Sequence, residues 1–320
     1  MTDVYYRPHQ QATLIKKEST YGSAETPDVD VGLVQSLSFD ESNTLQQHKT
    51  LGARATQQVS AGAFEISGSM TVHFQHGRLL ELITGGTVTH DDSDTPDIKH
   101  TYAEASQNLP GFTLHDGYNN AGGDVLQTYA GCMITDATIG VNYGEPVTIT
   151  ANFLAKTVAD TTTATAASID SLEVLRAEVA TVTIGSQVAG AQSFELKINN
   201  NTARHMALGS RALQSATAGM VDYEFTFTCQ FLNQTEYERF LGSSSPASGT
   251  PSDFTVVLNV TNGVAAGSGL RQLHITLNNA SYGTSGRPVN VGDEMIVQTF
   301  TGVCKSLTMY SYDDITSGNW

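Results

Sequence analysis

This chain of 320 residues carries one segment twice. A shift of 157 positions lays residues 35–85 on residues 192–242 without a gap, and fifteen of the fifty-one pairs are identical. Among the identities are Asn43/Asn200, His48/His205, Leu51/Leu208, Gly52/Gly209, Arg54/Arg211, Gln57/Gln214, Gly62/Gly219 and Gly85/Gly242. Self-similarity on this scale describes two copies of one unit, so whatever closes the core of the first copy must also close the second. Two domains are also what the length favours.

The apolar pattern repeats with the letters. Phe64, Ile66, Met70, Val72 and Phe74 alternate with polar residues, the period of a half-buried strand. Val221, Tyr223, Phe225, Phe227, Cys229 and Phe231 keep the same phase, which makes Cys229 a core-facing strand residue. Each strand leads into a short helical run stopped by a glycine, residues 77–84 before Gly85 and residues 235–241 before Gly242. An earlier strand (33–40, 191–198) is joined to the long one by about twenty polar and small residues, too many for a tight hairpin turn. These connections, residues 41–63 and 199–220, contain the repeated Leu-Gly-x-Arg-Ala core and are expected to project as loops or arms. Further strands are expected over 98–103, 110–116, 125–141 and 146–155 in the first copy, and over 253–260, 269–282 and 294–309 in the second. The expected organisation is mainly β: two tandem antiparallel β-sandwich or barrel domains, each with one short helix. The first spans residues 1–156 with an N-terminal arm and the second residues 179–320, joined by a Thr/Ala-rich linker at 157–178. Each unit alone would leave open sheet edges, and pairing those edges is the obvious solution.

Charge narrows the partners. Thirty-two Asp and Glu face sixteen Lys and Arg, a formal charge of -16, whereas a protein that grips phosphate backbone needs clustered cations. Low lysine with an acidic surplus is also the balance of proteins that work in high salt. No apolar run approaches the length of a membrane span, and the start lacks the basic and apolar regions of a secretory signal, so a cytoplasmic product without membrane insertion is expected. Cys132, Cys229 and Cys304 form no C-x-x-C pair and read as reduced, buried thiols. Glycines at 121–123 and 267–269 lack the strand-to-helix context of a nucleotide loop. The acidic turn at residues 90–94 lacks EF-hand spacing, and His73 and His76 lack a third metal ligand. No G-x-S-x-G elbow is present, and a duplicated active site would repeat His, Asp and Ser together, whereas His48/His205 is the one repeated histidine. No catalytic, cofactor or metal residue is therefore assigned, and the sequons at Asn200, Asn233, Asn259 and Asn279 read as chance in a cytosolic product.

The chain resembles tail tube (major tail) proteins of long-tailed, non-contractile viruses of bacteria or archaea. The resemblance is carried by Glu18-Ser-Thr-Tyr-Gly-Ser-Ala-Glu25, Leu51-Gly-Ala-Arg-Ala55, Ser67-Gly-Ser-Met-Thr-Val-His-Phe74 and the helix after it. Leu109-Pro-Gly-Phe-Thr-Leu114, Tyr129-Ala-Gly-Cys-Met-Ile134 and Gly144-Glu-Pro-Val-Thr-Ile149 complete it. It covers residues 15–156, and the duplication extends it to about residue 309. The resemblance implies stacked rings of six β-sandwich units whose inner strands join into one barrel, a conduit for DNA leaving the capsid. It implies a virion tail component, made in the host cytoplasm, with tape measure, tail terminator and distal tail or baseplate proteins as partners and double-stranded DNA in non-specific passage.

With two units per chain, a six-unit ring is a homotrimer with pseudo-six-fold symmetry. Four inner strands per unit then give about twenty-four strands, a backbone diameter of roughly 48 Å and a bore of about 38 Å. Glu65, Ser67, Ser69, Asp222, Glu224 and Thr226, on the polar parity of the two long strands, are the candidate lumen-facing residues, where carboxylates would let DNA slide without sticking. His48, Leu51, Arg54 and Gln57, with His205, Leu208, Arg211 and Gln214, are the candidate contacts between subunits or rings; the alternative is arms that merely pack on their own domain. Three other functions compete with the tube: a distal tail or baseplate-hub protein that forms one ring, a secretion-system tube protein, and an enzyme or binding module on a β-sandwich.

Overall fold

The computed structural model describes residues 7–93, 96–106, 108–118, 124–161, 172–185, 187–230, 235–242, 253–288 and 296–316. Phe231, Asp94, the glycine turn at 121–123, the sequon at Asn233 and the middle of the expected linker lie outside them. In the first half the strands are β1 (Gln11–Lys17), β2 (Leu33–His48), β3 (Gln58–His73), β4 (Gly85–Asp91), β5 (Ile98–Glu104), β6 (Phe112–Tyr118), β7 (Val125–Asn142), β8 (Thr148–Ala155) and β9 (Thr157–Thr161). The second half contributes β10 (Thr181–Ile184), β11 (Gln187–Ala189), β12 (Ala191–Asn199), β13 (Ala203–His205), β14 (Ser215–Thr217), β15 (Asp222–Gln230), β16 (Phe254–Thr261), β17 (Gln272–Gly286), β18 (Val297–Val303) and β19 (Ser306–Asp313). Helix α1 (Arg78–Thr84) follows β3 and α2 (Thr235–Leu241) follows β15. Gly85 and Gly242 stop them in the left-handed region at φ 72° and 74°, as the paired glycines predict.

One inner sheet runs through the whole molecule in the order β2-β3-β8-β7-β12-β15-β18-β17, antiparallel throughout. The halves meet where β7 pairs with β12, Leu196 opposite Ile139 and Asn199 opposite Asp136. Over the inner sheet lie two outer layers, β1-β6-β7-β9 in the first half and β11-β10-β16-β17-β19-β5-β4 in the second. Strands β7 and β17 are long enough to belong to both layers. The main apolar core lies between the layers and runs from Met70, Phe112 and Phe153 to Phe194, Phe225, Phe227 and Phe300.

The two halves follow one register. A break in pairing falls at Thr135 between Ile134/Phe153 and Asp136/Asn152, and at Gly283 between Tyr282/Gly302 and Thr284/Thr301. The same correspondence sets Gly68, paired with Phe153, against Phe225, paired with Gly302. One phenyl ring fills one core slot in each half, but it comes from opposite strands. A Cβ on Gly68 would stand 2.4 Å from the Phe153 ring, and one on Gly302 would stand 2.6 Å from Phe225, so each glycine is required by the ring facing it.

Three expectations are corrected. The first arm is a β-ribbon, because β2 and β3 keep pairing out to His48/Gln58 and leave only residues 49–57 as a tip; in the second arm the short pair β13–β14 does the same. The expected linker at 157–178 begins as β9, which pairs with β7 as β19 pairs with β17, Ala130/Thr157 matching Asn278/Ser306. Its end also packs on the first half: Leu175 is buried, its N–H donates to the Phe74 carbonyl and its own carbonyl accepts from Val147. The strand expected over 294–309 breaks at Cys304-Lys305, where the chain crosses from inner to outer layer. The strand expected over 98–103 is present as β5 and pairs with β4 and also with β19, where His100 Nε2 lies 2.8 Å from Asp313 and Tyr102 Oη lies 2.6 Å from Ser311 Oγ.

A buried ion cluster ties the segment before β2 to α1. Asp30 accepts from Arg78 Nη1 at 2.6 Å and lies 3.2 Å from His76 Nε2. Burial opposes its charge, yet the His76 hydrogen bond and the His76 and Arg78 charges prevail and hold the carboxyl below its ordinary range. A depressed folded-state pKa adds stability above the unfolded pKa that disappears as pH falls through the folded one. Asp30→Asn is therefore expected to cost roughly 3 kcal/mol near neutral pH. The gap to the parent protein should close as pH drops below about 4, measured by urea unfolding across pH. Gly68→Phe alone should prevent folding through overpacking. Combined with Phe153→Gly it should restore a cooperative thermal transition, since the second half already uses that arrangement.

Candidate functional site: a polar sheet face and two arms

The inner sheet buries one face and leaves the other polar. Pairing sets side chains of that outer-facing parity in rows across both halves. One row runs Ser38, Ser69, Asn152, Asp136, Asn199, Asp222 and the next runs Ser36, Thr71, Thr150, Thr138, Lys197, Glu224. Threonine suits such rows, because its branched Cβ fits the pleat while its hydroxyl bonds across strands. Thr71 lies 3.1 Å from Thr150 and Thr228 lies 3.0 Å from Thr299, hydroxyl to hydroxyl. Asn152 Nδ2 donates to Asp136 at 2.6 Å.

All six candidates for the conduit wall, Glu65, Ser67, Ser69, Asp222, Glu224 and Thr226, lie on this one face. The same face carries four charged residues that the sequence reading missed: Asp40, Asp136, Glu195 and Lys197. The strands expected over 33–40, 125–141 and 191–198 contain them at the polar parity, so the alternation used for Phe64–Phe74 would have found them. Among the described residues of the face, carboxylates at 40, 65, 136, 195, 222 and 224 stand against the single ammonium of Lys197, which lies 3.4 Å from Glu195. Asp136, Lys197, Asp222 and Glu224 line one open groove across the junction of the halves.

The tips of the two arms are built alike. His48 Nε2 lies 2.8 Å from Ser60 Oγ, and His205 Nε2 lies 2.8 Å from Thr217 Oγ1. Gln57 N–H donates to the His48 carbonyl at 3.0 Å and its amide donates to Ala55 at 3.2 Å; Gln214 does the same to His205 and Ala212 at the same distances. Gly52 and Gly209 turn both tips at φ 87° and 88°, and Leu51 and Leu208 are fully exposed. The repeated His and Gln thus fix the tip within its own arm.

The repeated arginines differ. Arg211 crosses to the first half, where Nε donates to the Gly62 carbonyl at 2.8 Å, Nη2 reaches Asn43 Oδ1, and its own carbonyl accepts from Phe64 N–H. Arg204 of the same arm meets Glu65 at 2.6 Å, while Leu213 and Ala216 pack with Leu109, Met133 and Leu154. Arg54 is exposed and, among the described residues, makes no hydrogen bond or ion pair.

The remaining titratable groups are structural. Burial raises all three thiols: Cys132 well above its usual value, Cys229 to about 11 and Cys304 to about 12. Cys229 faces the core, as its strand parity predicts. His73 sits on the polar face, whereas His76 is buried against Asp30, so the two do not converge. Among the described residues no three His, Cys, Asp or Glu side chains gather as a metal site, and no helix is long and apolar enough to cross a membrane.

An antiparallel sheet with one buried face, one threonine-rich acidic face and two end strands without a further strand partner among the described residues is the architecture of a mainly β sandwich or barrel protein. Comparison with family profiles agrees: the profile described as phage tail tube protein matches residues 9–304. The chain belongs to the phage tail tube protein family and is a structural component of the virion tail. In a comparison with curated proteins, none matches.

Because Glu195 and Glu224 contribute no core contact, Glu195→Lys and Glu224→Lys are expected to change unfolding free energy by no more than about 0.5 kcal/mol, read by denaturant titration. A larger loss in either variant would make the polar face a folding element.

Proposed function

We propose that the chain is a tandem duplicate of one tube unit, that three copies close into a pseudo-six-fold ring, and that stacked rings form the conduit for viral DNA. The observation that carries this reading is the β7–β12 pairing. It joins the two halves edge to edge, and the edges left over, β2 and the end of β17, are the counterparts of β12 and β7. The register inside the chain therefore supplies the register between chains. Lys197 opposite Thr138 becomes Asp40 opposite Gly286, and Asn199 opposite Asp136 becomes Ser42 opposite Thr284. Eight inner strands per chain give about twenty-four per ring, with a bore of roughly 38 Å, wide enough for a DNA duplex.

The polar face then lines the bore. Its carboxylates repel phosphate, so the wall offers DNA no sites at which to stop. The arm tips, with exposed Leu51 and Leu208, reach toward the neighbouring ring. Tape measure, terminator and distal tail proteins are the partners at the ends of such a tube. A distal tail protein of the same fold would form a single ring; two projecting arms favour stacking.

Electron microscopy of the purified protein is expected to show hollow tubes, and native mass measurement of unpolymerised rings three chains. Reversing charge at Glu195, Asp222 and Glu224 together should leave tube length unchanged and slow DNA release from reconstituted particles. Single unpaired chains at every concentration and salt would remove the ring reading.

A further inference from the structure

We propose that Arg54 docks on a second copy of this chain, in the site that corresponds to the one Arg211 fills within the chain. This inference rests on the ring reading and names its contact. Asn43, Gly62 and Phe64 receive Arg211, and their counterparts 157 residues on are Asn200, Gly219 and Val221. Asn200, Gly219 and Val221 line one open groove beside Thr84, Glu104 and Tyr223, so the receptor exists and no side chain among the described residues fills it as Arg211 fills its counterpart. Arg54 is the matching ligand: exposed, on a tip of the same construction, and without a partner among the described residues. Its Nε donates to the carbonyl of Gly219 of the partner subunit and its Nη2 to the Oδ1 of Asn200 of the partner subunit. Glu104, on the groove wall, supplies the opposite charge.

The repeated asparagine shows both halves of the contact. Asn200 Nδ2 donates backwards to the carbonyls of Ile83 and Ile134 at 3.3 and 3.4 Å, while Asn43 Oδ1 accepts forwards from Arg211. In a closed ring each asparagine does both, so it bridges three successive units.

Two exposed valines are explained by the same step. Val59 is 55% exposed and Val303 is 54% exposed, on opposite ends of the chain. Their counterparts are Ala216 and Leu154, buried in one cluster across the internal junction. Docking of Arg54 sets Val59 against Val303 of the partner subunit. The rest of the internal cluster is more polar at the new junction: Leu213 corresponds to Thr56 and Met133 to Ser281. The contact between chains is therefore a smaller, wetter version of the contact within the chain, which suits a surface exposed to water before assembly.

The experiment pairs Val59→Cys with Val303→Cys in a Cys304→Ser background, assembled and then mildly oxidised. Disulfide-linked dimers and closed trimers are expected with both cysteines, and neither with one alone. Arg54→Ala should leave thermal unfolding unchanged and raise the concentration for half-assembly roughly tenfold or more. Arg211→Ala should instead lower the unfolding temperature of the single chain. Rings that form normally with Arg54→Ala, or that stay unlinked with both cysteines, overturn the docking and leave the ring intact. If the unmodified protein forms no ring, the docking and the ring reading fail together.

Discussion

The backbone pairing of β7 with β12 is the interaction on which the rest of the molecule depends. Buried peptide groups must find partners, and a sheet edge is a row of them without any. Each half of this chain ends in such a row. The β7–β12 pairing satisfies one row of the first half with one row of the second and leaves a longer sheet whose end strands have no further strand partner among the described residues. The apolar core follows this logic: it is continuous from Met70 to Phe300 because the sheet above it is continuous. The halves are thus separable by sequence but not by structure.

Legibility in the sequence followed period and repetition. Alternation at Phe64–Phe74 and Tyr223–Cys229 located the central strands and the face each side chain takes, and paired glycines located both helix ends. What alternation could not supply was pairing partners. β5 lies in the first copy, yet its hydrogen bonds join it to β19, and nothing in residues 98–103 names Asp313 or Ser311 as the groups that would bury His100 and Tyr102. The Thr/Ala stretch at 157–161 was unreadable for a related reason. Low complexity signals a linker, but threonine is also a good strand residue, and the register of β7 decides the matter. Among the arm residues, repetition marked His48, Gln57 and Arg54 equally; only the folded structure separates the two that hold their own tip from the exposed arginine.

Conservation between the copies takes two physical forms. At the arm tips the residues themselves are kept, since one turn with one set of local bonds serves both. In the core the volume is kept and the residues trade places, as Gly68/Phe153 and Phe225/Gly302 do. A close-packed interior constrains total volume and shape more than it constrains which strand supplies the ring. This is why fifteen identities in fifty-one positions are compatible with a matching register, break for break, in β7 and β17.

In the proposed ring the two kinds of junction are unequal. The junction inside the chain forms as the chain folds, and it holds apolar contacts at Leu213 and Ala216, the Arg204–Glu65 pair and the β5–β19 pairing. The edge that would meet another chain must survive alone first. Strand β2 accordingly presents Gln35, Ser36, Ser38, Asp40 and Ser42 to solvent, a polar edge that resists indiscriminate pairing, and a formal charge of -16 holds free chains apart. In the proposed ring, assembly depends on several modest contacts made at once, edge pairing, arm docking and side-chain contact, rather than on one adhesive patch. Once a neighbour is engaged at one of these, the others become intramolecular and close at high effective concentration. On the proposed contacts, a tube would grow from an existing end far more readily than start anew, because only an end offers all the contacts together.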